Sequence, residues 1–451
     1  MSTRRDFIKL LIAGVAGLAI GSAATYVAVA PRGPSGSATQ TATRTVTATR
    51  TKTVTVTATA AKGQAKIKAL WVYIGPIGDY GWTHAHHVGK ENVDKMFGWL
   101  TTRHLEQVKY EEAYKRIKSI LEEEKFDAVF FTSFGYMDTV KRLAKEYPDV
   151  KFYHCSGPWE EFRDLPNVST YFVEFYQLYY LNGIAAGAVT ETCRVGYVPA
   201  FLIPEVVRHI NAFAMGAVAG AKLMGKCGGG DKLEIYVSTP LYNWFDPRKA
   251  QDYARSLIEN YDVDVIAYTE DSTAILELAE KYWDEGKKVY SFSHYSNMYE
   301  YFKRQGKTLR SHLTGQVADW TPVYAYLLAK LYAGYYEKED VWARLGDFVP
   351  IRWRRPISES RAGSPEGAAY LAPLNKKAIP PKALNYIMEK YEEMKELLFE
   401  PFTGPIKGYR IDSDGKPLEK PTLKVEEGRR LGRNELWTMN WFYEKITSLA
   451  G

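Results

Sequence analysis

Three cysteines in 451 residues, Cys155, Cys193 and Cys227, allow one disulfide and exclude a disulfide framework. No C-x-x-C pair occurs, so the usual zinc and redox arrangements are missing. Also absent are the G-x-S-x-G elbow of serine hydrolases, the phosphate-binding P-loop and the glycine fingerprint of dinucleotide enzymes. The paired acids of PWEEFRD, Glu160 and Glu161, are sequence neighbours, which seldom face each other across a bond. Nothing repeats at a fixed period, which argues against a structural array. Acids are scarce at one end: of 53 Asp and Glu only Asp6 falls in the first 78 residues, against ten of the 59 Lys and Arg. The rest holds 49 bases and 52 acids, a net charge of −3, so the formal +6 offers no platform for nucleic acid.

What stands at the basic end reads as export and tether. Arg4 and Arg5 precede Phe7 and Lys9 in the order of a twin-arginine export signal, which implies export after folding. An apolar run from Leu10 to Ala30 follows, long enough to cross a bilayer as a helix. Ala28-Val29-Ala30 has the form of a cleavage site, but Pro31 would occupy the next position, where a peptidase needs an adaptable backbone. Residues 1–30 are therefore expected to remain as a membrane anchor. No cysteine lies near this run, which excludes a bacterial lipid anchor. Residues 31–64, nearly all Thr, Ala and Ser with scattered bases, read as a disordered stalk open to O-glycosylation and to contact with anionic lipid. The alternation in VTVTAT is the rival sign of an edge strand.

From about Lys66 the pattern alternates. KIKALWVYI, TTRHLEQV, DAVFFTS, VKFYHC, RVGYVPA, KLEIYVST, DVDVIAYT, KKVYSFS and TLRSHLTG read as strands, and helical patterns follow most of them. Such alternation predicts an α/β fold of parallel sheets flanked by helices. About 385 residues suffice for two such units, with the ligand cleft between them at the strand ends.

The strand-end loops share a composition of small, aromatic and acidic residues: Gly75 to Trp82, Thr132 to Asp138, Asn243 to Pro247 and Thr269 to Ser272. Glycine admits close approach of a ligand, and aromatic rings offer flat faces. The competing explanation is helix capping, best placed for Asp246 ahead of Pro247 and also open to Asp138 and Asp271. His84, His86 and His87 supply a rival reading as a zinc site with Asp79, or as part of a nucleoside-hydrolysing surface protein. Against zinc, His84 and His86 point to different sides of a helix, and no H-E-x-x-H arrangement is present. His86 is expected to line the cleft.

GPIGDYGWTHAHHVG, FTSFGYMD, FLIPEVVRHINAFAMGA, NWFDP, EDSTA, PFTGPIKG and WTMNWFYEK resemble the basic membrane protein family of substrate-binding proteins for ABC transporters, which includes purine nucleoside receptors. The resemblance runs from about Lys66 to Ile446. It implies a two-lobed, periplasmic-binding-protein-like fold of type I that closes over its ligand, and it implies no enzymatic step and no cofactor. It also implies an extracytoplasmic location and an ABC permease and ATPase as partners. Family motifs map stacking aromatics onto Trp82 and Trp244, a paired acid onto Asp79, a later carboxylate onto Asp271, and polar and aromatic contacts onto Ser133 and Phe134. The lysine with which several nucleoside-binding members reach the sugar is replaced around Ala318, and no amide side chain follows Thr132. A purine base or similar flat heterocycle is thus as well suited as a nucleoside. The expected lobes are 65–186 with 294–325, and 187–293 with 326–451.

Overall fold

KIKALWVYI becomes the first strand, and the rest of the expected alternation follows. The computed structural model describes residues 66–347 and 367–450, so the expected export segment and stalk lie outside the described residues. The strands of the first half are β1 Ile67–Val72, β2 Leu100–Leu105, β3 Ala128–Phe131, β4 Lys151–Cys155 and β5 Val168–Val173. They continue with β6 Arg194–Val198, β7 Glu234–Val237, β8 Val265–Tyr268, β9 Ser291–Tyr295 and β10 His312–Ala318. The last are β11 Asp340–Ala343, β12 Ala369–Leu371, β13 Ile406–Arg410, β14 Thr422–Val425, β15 Trp441–Tyr443 and β16 Ile446–Ser448.

One sheet has the order β11-β5-β4-β3-β1-β2, with every pair parallel. Its inner strands are covered on both faces, which is why AVFF of β3 reads as a continuous apolar run. Trp71, Phe130 and Tyr153 occupy matching positions on β1, β3 and β4 and stack in a row, with centroids 4.5 Å apart at each step. A second parallel sheet has the order β16-β7-β6-β8. A parallel bridge between Val265 and Tyr290 connects it to β9, which pairs with β10, itself antiparallel to β12. The small antiparallel sheet β14-β13-β15 is separate.

Strand pairing divides the chain differently from the expected lobe boundaries. Residues 312–318, grouped there with the first lobe, pair as β10 with β9; residues 340–343, grouped with the second, extend the first sheet as β11. The helix Phe175–Val189, expected at the end of the first lobe, packs along the helix Pro204–Met224. These two helices meet backbone to backbone through Gly183, Gly187, Gly216 and Gly220, where an added Cβ would overlap a carbonyl oxygen of the facing helix. Every residue of Phe175–Val189 is buried, as its all-round apolar composition requires.

Cys193 and Cys227 form a disulfide across 34 residues, and Cys155 is buried and free. No helix among the described residues is long and apolar enough to cross a membrane.

Candidate functional site

Five of the seven expected residues come together at one cavity: Trp82, Ser133, Phe134, Trp244 and Asp271. Ile74, Ser156, Glu205 and Tyr295 complete its wall. The walls close to about 20 Å³, far below the roughly 300 Å³ at which small-ligand pockets begin. A ring can therefore enter only when the walls separate.

Trp82 opens the helix Trp82–Met96 and is only 6% exposed. Its indole N–H donates to the Thr132 carbonyl at 2.5 Å, and its ring meets His86, Tyr295 and Trp320 edge-on at 4.6, 4.8 and 5.4 Å. Trp244 is half-buried on the loop after β7; its indole N–H donates to the Tyr110 hydroxyl at 2.9 Å. The same hydroxyl lies 2.6 Å from Ser133 Oγ. Phe201 flanks the Trp244 ring at 4.8 Å.

Asp271 is buried at the end of β8, and Trp82 N–H donates to its Oδ1 at 3.3 Å. Gly81 makes this approach possible, since a Cβ there would come 2.9 Å from Asp271 Cα. His294 Nε2 faces the same oxygen at 3.2 Å. Gln316 accepts from Asn182 through Oε1 at 2.7 Å and presents its amide nitrogen to His294 Nδ1 at 2.7 Å. Nδ1 is then an acceptor, so the imidazole proton sits on Nε2 toward Asp271. Burial pushes the Asp271 carboxyl well up and holds His294 down at about 3, so the ring is neutral.

Asp79 and His86 stand apart from the cavity wall. Asp79 accepts from Gly81 N–H at 2.8 Å, Thr83 N–H at 3.0 Å and His84 N–H at 3.0 Å, holding the first turn of the Trp82 helix. His86 lies behind Trp82, stacked on Trp320 at 4.3 Å with Nδ1 2.6 Å from the Tyr324 hydroxyl. The three histidines do not converge: His84 Nδ1 meets the Ile77 carbonyl at 3.2 Å, and His87 packs on Tyr73 and His104. Among the described residues no group of three or more His, Cys, Asp or Glu is placed to hold a metal ion. Asp246 caps its helix by accepting from Lys249 N–H at 3.1 Å, as the following proline implies.

Glu205, Ser156 and Tyr295 had no place among the expected site residues. Ser156 follows β4 ahead of Gly157 and Pro158, the same strand-end composition that marked the other loops. Glu205 follows Pro204 at a helix start, where an acid reads as an ordinary dipole partner.

A larger hollow of about 430 Å³ lies where β5 and β11 leave their sheet, lined by charged residues including Glu174, Arg344, Glu400 and Arg430. Its Glu174, and Glu270 beside Asp271, give a pH prediction. Burial, with Glu400 adding to it for Glu174, pushes both carboxyls up to about 8, against 4.5 in an unfolded chain. Between those values the folded protein binds more protons than the unfolded one, so stability falls as pH rises toward 8. The buried His86, His154, His209, His294 and His312 act oppositely, with an effect that fades as pH rises past their ordinary value of 6.5, where an unfolded imidazole is still half protonated. From pH 6.5 to 8 the two glutamates should therefore lower stability by roughly 1.5 kcal/mol each. Urea unfolding of the wild type and of Glu174→Gln at both pH values measures this: between them the variant should lose roughly 1.5 kcal/mol less than the wild type, and the same change in both proteins would refute it.

Residues 66–342 match the Bmp family, ABC transporter substrate-binding proteins of the PnrA-like type. The chain belongs to the Bmp family. It is similar to a purine-binding protein of Brucella abortus, 31% identical over 374 residues that cover 82% of this chain and 92% of that one. It is also similar to an ABC transporter binding protein of Haloferax volcanii whose name proposes glucose, 33% identical over 296 residues covering 65% and 68%. Among solved structures, an ABC transporter solute-binding protein of Aeropyrum pernix K1 aligns with a TM-score of 0.53 at 15% identity, over 73% of this chain and 86% of that one. One of Conexibacter woesei aligns at 0.51 and 18% identity, over 74% and 98%. The fold is thus the α/β, periplasmic-binding-protein-like fold of ABC solute binders, and the Bmp family is one of substrate-binding proteins rather than of enzymes.

Proposed function

We propose that this Bmp protein captures a purine base or similar flat, nitrogen-bearing heterocycle outside the cytoplasm and passes it to an ABC permease and ATPase. The observation that carries the reading is the cavity wall itself. Trp82 and Phe134 follow strands of the first sheet, Trp244 and Asp271 strands of the second, and among the described residues no Lys, Arg or His lines it. Aromatic faces suit a planar ring, and a buried carboxyl suits ring N–H donors. Ser133 adds a polar contact, while Asp79 and His86 act through Trp82, one fixing its helix and the other backing its ring. The name of the Brucella relative supports the same ligand class.

On this reading one lobe comprises 66–173 with 321–343 and the other 175–318 with 369–450, and ligand contacts made by both lobes favour the closed form. Residues 1–30 tether the protein to the membrane. Calorimetry with adenine, inosine and glucose tests the ligand class. Adenine or inosine should bind and raise the melting point, a ligand at 100 times its Kd adding about 2.7 kcal/mol. Binding of glucose alone would refute the purine reading, and release of free base from inosine would contradict a pure receptor.

A further inference from the structure

We infer that Glu205 is a second recognition carboxylate of the cleft, so that the captured ring carries N–H donors on two separate edges, one for Asp271 and one for Glu205. The inference rests on the purine-like reading and narrows it from flat heterocycles in general to those with donors on separate edges, as adenine has.

Glu205 is 5% exposed and lines the same cavity as Asp271. Its Oε2 accepts from the Ser156 hydroxyl, which follows β4 of the first sheet, while its Oε1 lies 3.3 Å from the Tyr295 hydroxyl at the end of β9. The Ser156 bond thus crosses from one sheet's loops to the other's, at the place where a ligand would separate the walls. A carboxylate offers about four lone-pair sites, and two hydroxyls leave room for a ligand N–H.

Burial pushes the Glu205 carboxyl up, and the chain places a cation that acts against this and favours the ionised form. Arg208, one turn further along the same helix, is fully buried, with its guanidinium 4.5 Å from the Trp437 ring, 5.2 Å from Phe172 and 5.5 Å from Trp342. Its Nη1 donates to the Leu436 carbonyl at 3.2 Å, whereas Nε and Nη2 have no hydrogen-bond partner among the described residues. Rings attract such a cation but do not neutralise it. A buried cation requires a counter-charge, and Glu205 is the acid whose carboxylate it favours most directly. An acceptor at Glu205 and a second at Asp271 on one cavity wall select a ligand that donates at two places.

Three probes separate the edges: adenine, unsubstituted purine, which lacks the exocyclic amine, and 9-methyladenine, which lacks the N9 proton. Calorimetry on the wild-type protein should show both altered probes at least tenfold weaker than adenine. Glu205→Gln should weaken adenine at least tenfold and change the affinity of one altered probe less than threefold, because that probe already lacks the group Glu205 receives. Equal factors for all three probes would make Glu205 a structural residue and overturn the inference while leaving the purine reading intact, as would no change for any. If the variant does not fold, the wild-type comparison decides: either altered probe binding within threefold of adenine means that one edge is not read. Failure of all three to bind the wild type would overturn the purine reading, and this inference with it.

Discussion

Trp82→Ala should lose about 3–5 kcal/mol of stability along with ligand affinity, the range for truncating a buried Trp to Ala, whereas Trp244→Ala should lose affinity alone. The two indoles line the same cavity but stand differently in the fold. Trp82 is 6% exposed, bonded to Thr132 and enclosed by His86, Phe172, Phe175, Tyr295 and Trp320. Its removal empties volume that five rings cannot readily refill, so the cavity cost adds to the lost transfer energy. Trp244 is half-buried and touches Phe201 and the Tyr110 hydroxyl, so its truncation leaves solvent-accessible space. Stacking of a base on an aromatic ring is worth about 1–3 kcal/mol, which predicts a 5- to 150-fold weaker Kd for Trp244→Ala. Urea unfolding and calorimetry with adenine measure the two effects separately. Wild-type stability in Trp82→Ala would show that the ring is not part of the core, and unchanged adenine affinity in Trp244→Ala would remove it from the ligand wall.

That contrast marks where reading the sequence succeeds. The alternation of strand and helix was legible because most inner parallel strands, buried on both faces, are short apolar runs bounded by turn residues. β5 was not legible: Val168–Val173 runs through Glu174 into the buried helix Phe175–Val189 with no turn residue between, so neither period stands out. The strand-end loops announced themselves through glycine, aromatics and acids, and five of their residues share the cavity. Asp79 precedes and His86 lies within the helix Trp82–Met96, and neither reaches the cavity, because backbone N–H groups claim the carboxyl and Trp320 stacks on the imidazole. Glu205 was hidden by its ordinary place in a first helical turn. Only the fold brings Ser156 from another sheet against it. The partners of β10 and β11 were not legible for a similar reason, since they follow from pairing across long stretches of sequence.

Replacing both Cys193 and Cys227 by serine should cost about 3–4 kcal/mol of stability without changing ligand affinity. Composition allowed one disulfide and offered no basis for choosing among three cysteines. The fold makes the choice: Cys155 is buried within β4, while Cys193 precedes β6 and Cys227 lies just beyond the helix Pro204–Met224, their Cα atoms 5.5 Å apart. The bridge closes a loop of 34 residues that contains β6 and that helix. Cross-linking restricts the unfolded chain, and the loop-entropy relation gives about 3.8 kcal/mol for this span. Neither cysteine lines the cavity, so affinity for adenine should be unaffected. A reductant provides the internal control, because it should lower the melting point of the wild type toward that of the double variant and leave the variant itself unmoved. Equal melting points for oxidised and reduced wild type would show that the bridge does not stabilise the folded protein. A weaker adenine affinity in the double variant would instead connect the bridge to the cleft through the helix that carries Glu205.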